Sequence, residues 1–149
     1  MKKHTDTIQT MKLKDLGFPP PKGVSKLSLD WDLDTVPTFD YSIVELIEML
    51  PSYVGWKNNY YDLQINYYYL QIKAECTYSW IVSYEPTHND KAKIFPVYDG
   101  GSCLIDILYN VLINLVALKD ELIDIGGYDE YNQGEVLSKV FKLKEEGKI

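Results

Sequence analysis

Apolar and polar residues alternate through residues 61–84, and this pattern limits the fold more than any other feature of the sequence. Alternation with a period of two is typical of half-buried β-strands. The apolar positions form three sets: Tyr61, Leu63, Ile65 and Tyr67; Leu70, Ile72 and Ala74; and Tyr78, Trp80, Val82 and Tyr84. The phase slips between the first two sets, which predicts a turn or bulge near 66–69. A short fourth strand is expected at 93–98. Because the connections are too short for crossover helices, we expect a three- to four-stranded antiparallel meander.

The segment that follows predicts a long helix. Apolar residues recur there with four-three spacing, at Leu104, Leu108, Val111, Leu115, Leu118 and Leu122. A second apolar stripe runs beside the first, through Ile105, Tyr109, Leu112 and Val116. Asp99 and Ser102 are the candidate N-caps. Two stripes indicate a long C-terminal helix packed on the sheet and on a further partner.

Two short helices are expected before the strands. Residues 10–16 form the first, and Gly17 followed by prolines is a helix stop. The second begins at Ser42, whose spacing to Glu45 is that of a capping box, and it ends before Pro51. The sequence thus predicts an α+β fold with short N-terminal helices, a meander and a long helix.

Length and composition indicate one domain with two appendages. At 149 residues, with 46% hydrophobic residues, the chain is long enough for a single core. We expect a flexible basic tail at 1–9, an α+β domain at 10–125 and a helical C-terminal extension at 126–149. The polar N-terminus resembles no signal peptide, and residues 103–118 are too few to span a bilayer. These features favour a cytoplasmic protein, in the cytosol of a bacterial host, without a membrane partner.

The charge of the chain argues against direct binding of nucleic acid. The net charge is −7, and all 15 basic residues are lysine, so no arginine can bind phosphate as a planar fork. Residues 1–29 carry six lysines against Asp6 and Asp15, a net +4, whereas residues 30–66 carry seven acids against Lys57, a net −6. An acidic body repels the phosphates that dominate nucleic-acid affinity.

No group of residues identifies a reaction, so we predict no catalytic, cofactor-binding or metal-binding residue and no enzymatic activity. His88 lies in a polar turn, and Cys103 precedes an apolar run without a neighbouring histidine. Asp30, Asp32 and Asp34 alternate with Trp31 and Leu33 but lack the glycine and closing glutamate of an EF-hand loop, so they are interpreted as a solvated edge segment.

The sequence favours an interaction surface instead. Tyr60 and Tyr68 fall on the strand face opposite the apolar set, and exposed aromatic residues are typical of binding surfaces. The second stripe of the long helix offers further apolar area. The predicted interaction surface is Tyr60, Tyr68, Ile105, Tyr109, Leu112 and Val116. Its partner is expected to be a second copy in a homodimer, or another protein.

The order of motifs resembles that of a group of small phage and prophage proteins of unknown role. The motifs are MKLKDLGFPPP, YSIVELIEMLPSYV, YSWIVSYEP and GGSCLIDILYNVLINLVALKDEL, within residues 11–123. The resemblance implies an origin on a mobile element and a fold of strands plus helices; it implies no chemistry. We therefore expect an accessory protein that acts as a self-associating interaction module. The alternative is a protein that binds a small molecule or nucleotide, or a counter-defence protein that sequesters a signal or mimics acidic DNA.

Overall fold

A computed structural model describes residues 2–21, 40–72, 75–88, 91–126 and 134–148. Within those ranges the helices are α1 (Thr7–Asp15), α2 (Ile43–Met49), α3 (Leu104–Ala117) and α4 (Gly134–Glu145). The strands are β1 (Tyr53–Trp56), β2 (Asn59–Ile72), β3 (Glu75–Pro86), β4 (Asp99–Gly101) and β5 (Leu122–Gly126). A short 3₁₀ helix at Lys119–Glu121 joins α3 to β5. The α+β class is confirmed. The segment at 30–34, which was expected to be extended, lies outside the described residues.

The described strands form one antiparallel sheet in the order β4-β3-β2-β1-β5. Five strands replace the expected three or four, because two unexpected strands are added: β1 pairs with β2, and the chain returns after α3 to place β5 beside β1. The turn or bulge expected near 66–69 is wrong, since β2 pairs with β3 residue for residue from Tyr61 to Ile72. The fourth strand is also shifted, because residues 93–98 lie outside it and β4 begins at Asp99.

The long helix is shorter than the spacing of its leucines predicts. α3 ends at Ala117, and the amide of Glu121 then donates to the carbonyl of Leu118 in a 3₁₀ turn. Leu122 opens a strand that pairs with Trp56 instead of extending the helix. The N-cap is Cys103, and no side chain caps this end, so the expected caps at Asp99 and Ser102 are not used. No helix in the described ranges is both long and apolar enough to cross a bilayer.

Two local helix signals are confirmed. Ser42 and Glu45 form a reciprocal capping box, in which each side chain accepts a hydrogen bond from the other's backbone amide at 3.2 Å. At the end of α1, Gly17 has φ of 89°, and the amide of Phe18 donates to the carbonyl of Leu13 at 3.1 Å. This is a Schellman motif, which needs a residue that tolerates positive φ after the last helical turn.

Residues 2–9, expected as a flexible tail, are part of the fold. Asp6 caps α1, and His4 forms a β-bridge with Ser42. The ammonium of Lys2 donates to the Asp106 carboxylate on α3 at 2.8 Å, and Gln9 donates to the same oxygen at 2.8 Å. These two hydrogen bonds, that from Lys2 first, lower the pKa of Asp106. The positive charge of Lys2, which suggested a solvated tail, therefore forms an ion pair with Asp106 that holds the first residues against α3.

The core lies between the sheet and the helices. α3 packs against β3 and β4 on one side and against α2 and α4 on the other. Leu137 and Val140 of α4 are fully buried, so residues 134–145 complete the core and are not an appendage. Next to the helices, the rings of Trp56, Tyr61 and Tyr84 surround Phe95 with centroid distances of 5.4–5.6 Å. Burial raises the pKa of the Tyr84 phenol, whose hydroxyl donates to a backbone carbonyl.

Candidate interaction surface

The strand register assigns alternate residues to two faces of the sheet. Leu63 opposite Tyr84 and Ile65 opposite Val82 face the helices. We call the opposite side the outer face. Its members on β2 are Tyr60, Asp62, Gln64, Asn66 and Tyr68, and on β3 they are Ser79, Ile81, Ser83 and Glu85. The large apolar side chains on this face are exposed: Tyr60 by 49%, Tyr68 by 49% and Ile81 by 38%.

One end of the outer face carries an aromatic pair. The rings of Tyr53 on β1 and Tyr60 on β2 meet edge to face, with centroids 5.9 Å apart. The ring of Tyr53 extends across β5, where a Cβ added to Gly126 would lie 2.5 Å from the tyrosine hydroxyl. Ile123, which is 63% exposed, lies over Gly55 between these strands. Because Gly126 and Gly55 have no side chains, the side chains of Tyr53 and Ile123 can lie directly over the sheet.

Three carboxylates surround this pair. Asp62 on β2 and Glu85 on β3 are directly opposite each other in the register, and Asp124 on β5 is opposite Gly55. The hydroxyl of Thr87 donates to Asp62 at 3.0 Å, and that of Ser83 donates to Glu85 at 2.9 Å. No lysine occupies the outer-face positions that the structure describes.

We call this set of six residues the acidic tyrosine patch. Its members are Tyr53, Tyr60, Asp62, Glu85, Ile123 and Asp124. It combines ring and aliphatic area with three carboxylates, so its surface is amphipathic.

A second group of exposed tyrosines lies further along β2. Tyr67 and Tyr69 are both 51% exposed, although their positions belong to the face that the helices cover elsewhere. The ring of Tyr67 packs against that of Trp80 at a tilt of 36°, with a centroid distance of 4.4 Å. Tyr68, between Tyr67 and Tyr69 in sequence, lies on the outer face. It is eight residues from Tyr60, or about 26 Å at 3.3 Å per residue. Beyond the helical layer, therefore, β2 carries exposed aromatic side chains on both faces.

The structure divides the interaction surface that the sequence predicts. Tyr60 and Tyr68 are exposed, as expected. Ile105 and Leu112 are 0% exposed and Val116 is 3% exposed, because α2, α4 and the sheet of the same chain cover both stripes of α3. Tyr109 is half-buried, and burial raises its pKa. The three buried residues, Ile105, Leu112 and Val116, are therefore removed from the candidate surface, whereas Tyr109 stays a prediction.

Sequence reasoning missed the contributions of β1 and β5 to this surface. Tyr53 and Ile123 join Tyr60 only because β1 pairs with β2 and β5 pairs with β1. The signal for the β1–β2 hairpin is the Lys57–Asn58 pair, which forms a two-residue turn with φ of 47° and 65°. Asn favours this backbone region, so the pair was a readable turn signal.

The side chains that could take part in catalysis, His88 and Cys103, do not lie close together. His88 follows β3 at one end, whereas Cys103 follows β4, which pairs with β3 at Trp80. His88 and Trp80 are eight residues apart along the chain, or about 26 Å in an extended strand. Within the described ranges, no group of three or more His, Cys, Asp or Glu side chains could hold a metal ion. Asp30, Asp32 and Asp34 lie outside those ranges.

An open groove of about 470 Å³ lies between β5 and α4. Asp124 and Glu145 line it beside Lys142 and Phe141. Small-molecule sites are mostly apolar, with a few converging polar groups. Since this groove mixes charges of both signs along an exposed strand, its chemistry does not favour a particular small ligand.

Comparison with known proteins finds no matching family model and no similar curated protein or solved structure, so the chain's own residues carry the functional interpretation.

Proposed function

We propose that this chain is a protein-interaction module that binds its partner through the outer face of the sheet. The observation that carries the proposal is the exposure of Tyr60 and Tyr68, each 49%, on that face. Ile81 and Ile123 add exposed aliphatic area to the same side of the sheet. An accessory role in a phage or another mobile element is part of the proposal and rests on the sequence resemblance alone.

Tyrosine is suited to this role for a physical reason. Its ring offers a large contact area, few rotatable bonds are ordered on binding, and its hydroxyl can form a hydrogen bond at the rim of an interface. Soluble proteins expose single apolar residues routinely, so one tyrosine would need no explanation. Here Tyr60 and Ile123 are exposed beside the half-buried ring of Tyr53, which meets Tyr60 edge to face.

Self-association was expected from the second stripe of α3. Since Ile105, Leu112 and Val116 are buried within one chain, that stripe no longer needs a second copy to cover it. Under this proposal a second copy would bind through the outer face. The two kinds of partner differ in mass, so one experiment separates them.

The test is site-specific photo-crosslinking in the cells that naturally contain the protein. A benzophenone amino acid replaces Tyr60 or Tyr68 on the outer face. In the control chains it replaces Ile8 on α1 or Val44 on α2, which are 79% and 61% exposed on the helical side. We expect discrete adducts from the two tyrosine positions and none from the helical positions.

Mass spectrometry of the adducts identifies the partner. An adduct of twice 17.2 kDa that contains only this chain indicates a homodimer, and any other mass indicates a different protein. If positions 60 and 68 give no adduct, or if all four positions give the same adducts, the outer face is not a specific interaction surface and the proposal fails.

A further inference from the structure

We propose that Asp99 and Gly100, the first two residues of β4, form a site of spontaneous backbone modification at which the aspartate converts to isoaspartate. They are the one Asp–Gly pair in the sequence, and the chain contains no Asn–Gly pair. Glycine matters after the aspartate because it has no Cβ to hinder the approach of its own nitrogen to the neighbouring carboxyl group. The reaction uses only groups of this chain and water.

The first observation is a contact between the two groups that react. The amide nitrogen of Gly100 donates a hydrogen bond to Oδ1 of Asp99, with 2.9 Å between the two atoms. The nitrogen therefore lies beside the carboxyl group whose carbon it attacks, and such proximity favours ring closure. Gly100 is exposed, so the water that completes the reaction can reach it.

The second observation is that this amide is not part of the β-ladder. Directly opposed residues of an antiparallel pair alternate between exchanging two hydrogen bonds and exchanging none. The amide of Thr87 donates to the carbonyl of Tyr60 on β2, so Ile81, an even number of positions away, also directs its backbone groups toward β2. Gly100 is opposite Ile81, and its N–H accordingly points away from β3. Strand pairing therefore leaves this nitrogen able to react.

The reaction forms a cyclic imide and then opens it. The nitrogen of Gly100 bonds to Cγ of the protonated Asp99 carboxyl group, and one carboxyl oxygen leaves as water with the amide proton and the carboxyl proton. Water then adds to one of the two imide carbonyls. Cleavage of the bond between the nitrogen and Cγ restores aspartate. Cleavage of the bond to the original main-chain carbonyl carbon gives isoaspartate, whose main chain runs through Cβ and Cγ.

Isoaspartate at this position should loosen β4. The longer main chain shifts Asp99 and Gly101 relative to their partners Val82 and Trp80 on β3. The new α-carboxylate also replaces the side chain that accepts a hydrogen bond from Asn110 on α3 at 2.9 Å. Both changes affect the contact between the edge of the sheet and the helix, so we expect faster amide hydrogen exchange in β4 after the modification.

The experiment incubates the folded chain for weeks at neutral pH and physiological temperature. Peptide mass spectrometry with electron-transfer fragmentation then locates isoaspartate along the sequence. We expect isoaspartate to accumulate at residue 99, through an intermediate that is lighter by one water. Asp106 and Asp124 are internal controls that should stay at background, because a β-branched isoleucine follows each of them. The same chain in guanidinium chloride gives the rate for the unfolded state.

Asp99→Asn tests the geometry by a gain in rate. Its side-chain amide is electrophilic at neutral pH and leaves as ammonia, so the same attack should be about tenfold faster or more. The matched control Asp124→Asn removes the same charge from an exposed strand residue and should release ammonia no faster than the unmodified chain. Adding Gly100→Ala to Asp99→Asn should slow the release again. The added Cβ would lie 3.3 Å from the Trp80 carbonyl oxygen, which requires only a small shift.

The assignment is overturned if isoaspartate forms at residue 99 only in guanidinium chloride, since β4 would then protect the pair. Equal rates of ammonia release from Asp99→Asn and Asp124→Asn would also overturn it. Incubation of the unmodified chain needs no substitution, so it decides the question even if a variant fails to fold.

Discussion

Leu112 shows at the scale of a single residue why the second stripe of α3 is internal. Its side chain is fully buried, in the core that α3 forms with the sheet, α2 and α4. The sequence predicted its apolar environment but assigned part of that environment to another molecule. The helix α4, which begins only at Gly134, supplies part of the missing cover.

We expect Leu112→Ala to lower the free energy of unfolding by about 2–5 kcal/mol, because truncation leaves a cavity in a packed core. Asn114→Ala, on the exposed side of the same helix, should change it by less than about 0.5 kcal/mol. Urea denaturation of the two variants and of the unmodified chain measures both changes. If Leu112→Ala costs less than about 1 kcal/mol, the packing described for α3 is incorrect.

At the scale of secondary-structure elements, α2 and α3 begin in different ways. Ser42 caps the seven-residue α2 with a reciprocal hydrogen bond to Glu45. α3 begins at Leu104 without a side-chain cap, although Ser102 and Asp99 precede it. Asp99 instead accepts hydrogen bonds from the amide of Gly100 and from the side chain of Asn110. The bond from Asn110 joins the first residue of β4 to α3.

This difference gives a matched pair of serine substitutions. Ser42→Ala should lower the free energy of unfolding by about 0.5–2 kcal/mol, the usual cost of removing an N-cap. Ser102→Ala should have an effect within about 0.5 kcal/mol, because the exposed Ser102 does not cap α3. Thermal and urea unfolding of the two variants measure the difference, and equal losses would contradict the assignment of the caps.

At the scale of the whole molecule, the N-terminus is tied to α3 by an electrostatic contact across 104 residues of sequence. Lys2 and Gln9 both donate to Asp106, and the pKa of Asp106 is lowered from 3.8 by these hydrogen bonds. A carboxyl group with a lower pKa in the folded state stabilises the protein above pH 3.8. That contribution is lost as the pH falls through the folded-state pKa.

Asp106→Asn should therefore destabilise the protein at neutral pH by less than about 1 kcal/mol, since the side chains of Lys2 and Asp106 are 32% and 46% exposed. The difference from the unmodified chain should shrink as the pH falls below 3.8. Urea denaturation across an acid pH series measures it. Asp15→Asn, the same charge change at an exposed site on α1, should not reproduce this pH dependence.

The parts of the fold that depend on neighbouring residues could be predicted from the sequence. The capping box at Ser42 and the helix stop at Gly17 each close hydrogen bonds within a few residues. The alternation along β2 likewise places Tyr60 and Tyr68 on the outer face, because side chains alternate along any strand. Of the outer-face aromatic residues named above, Tyr60 and Tyr68 follow from this local rule, and Tyr53 does not.

The rest was decided by tertiary pairing. The four-three spacing continues through Leu118 and Leu122, but Leu122 gains a strand partner in Trp56 and the helix stops. The first residues resemble a solvated basic tail until Asp106 and Ser42 meet them from distant parts of the chain. Asp62 and Glu85 become a like-charged pair only in the β2–β3 register. Local sequence determines helix ends and strand faces, whereas contacts between distant segments determine which strands pair, what is buried and where the charged surface forms.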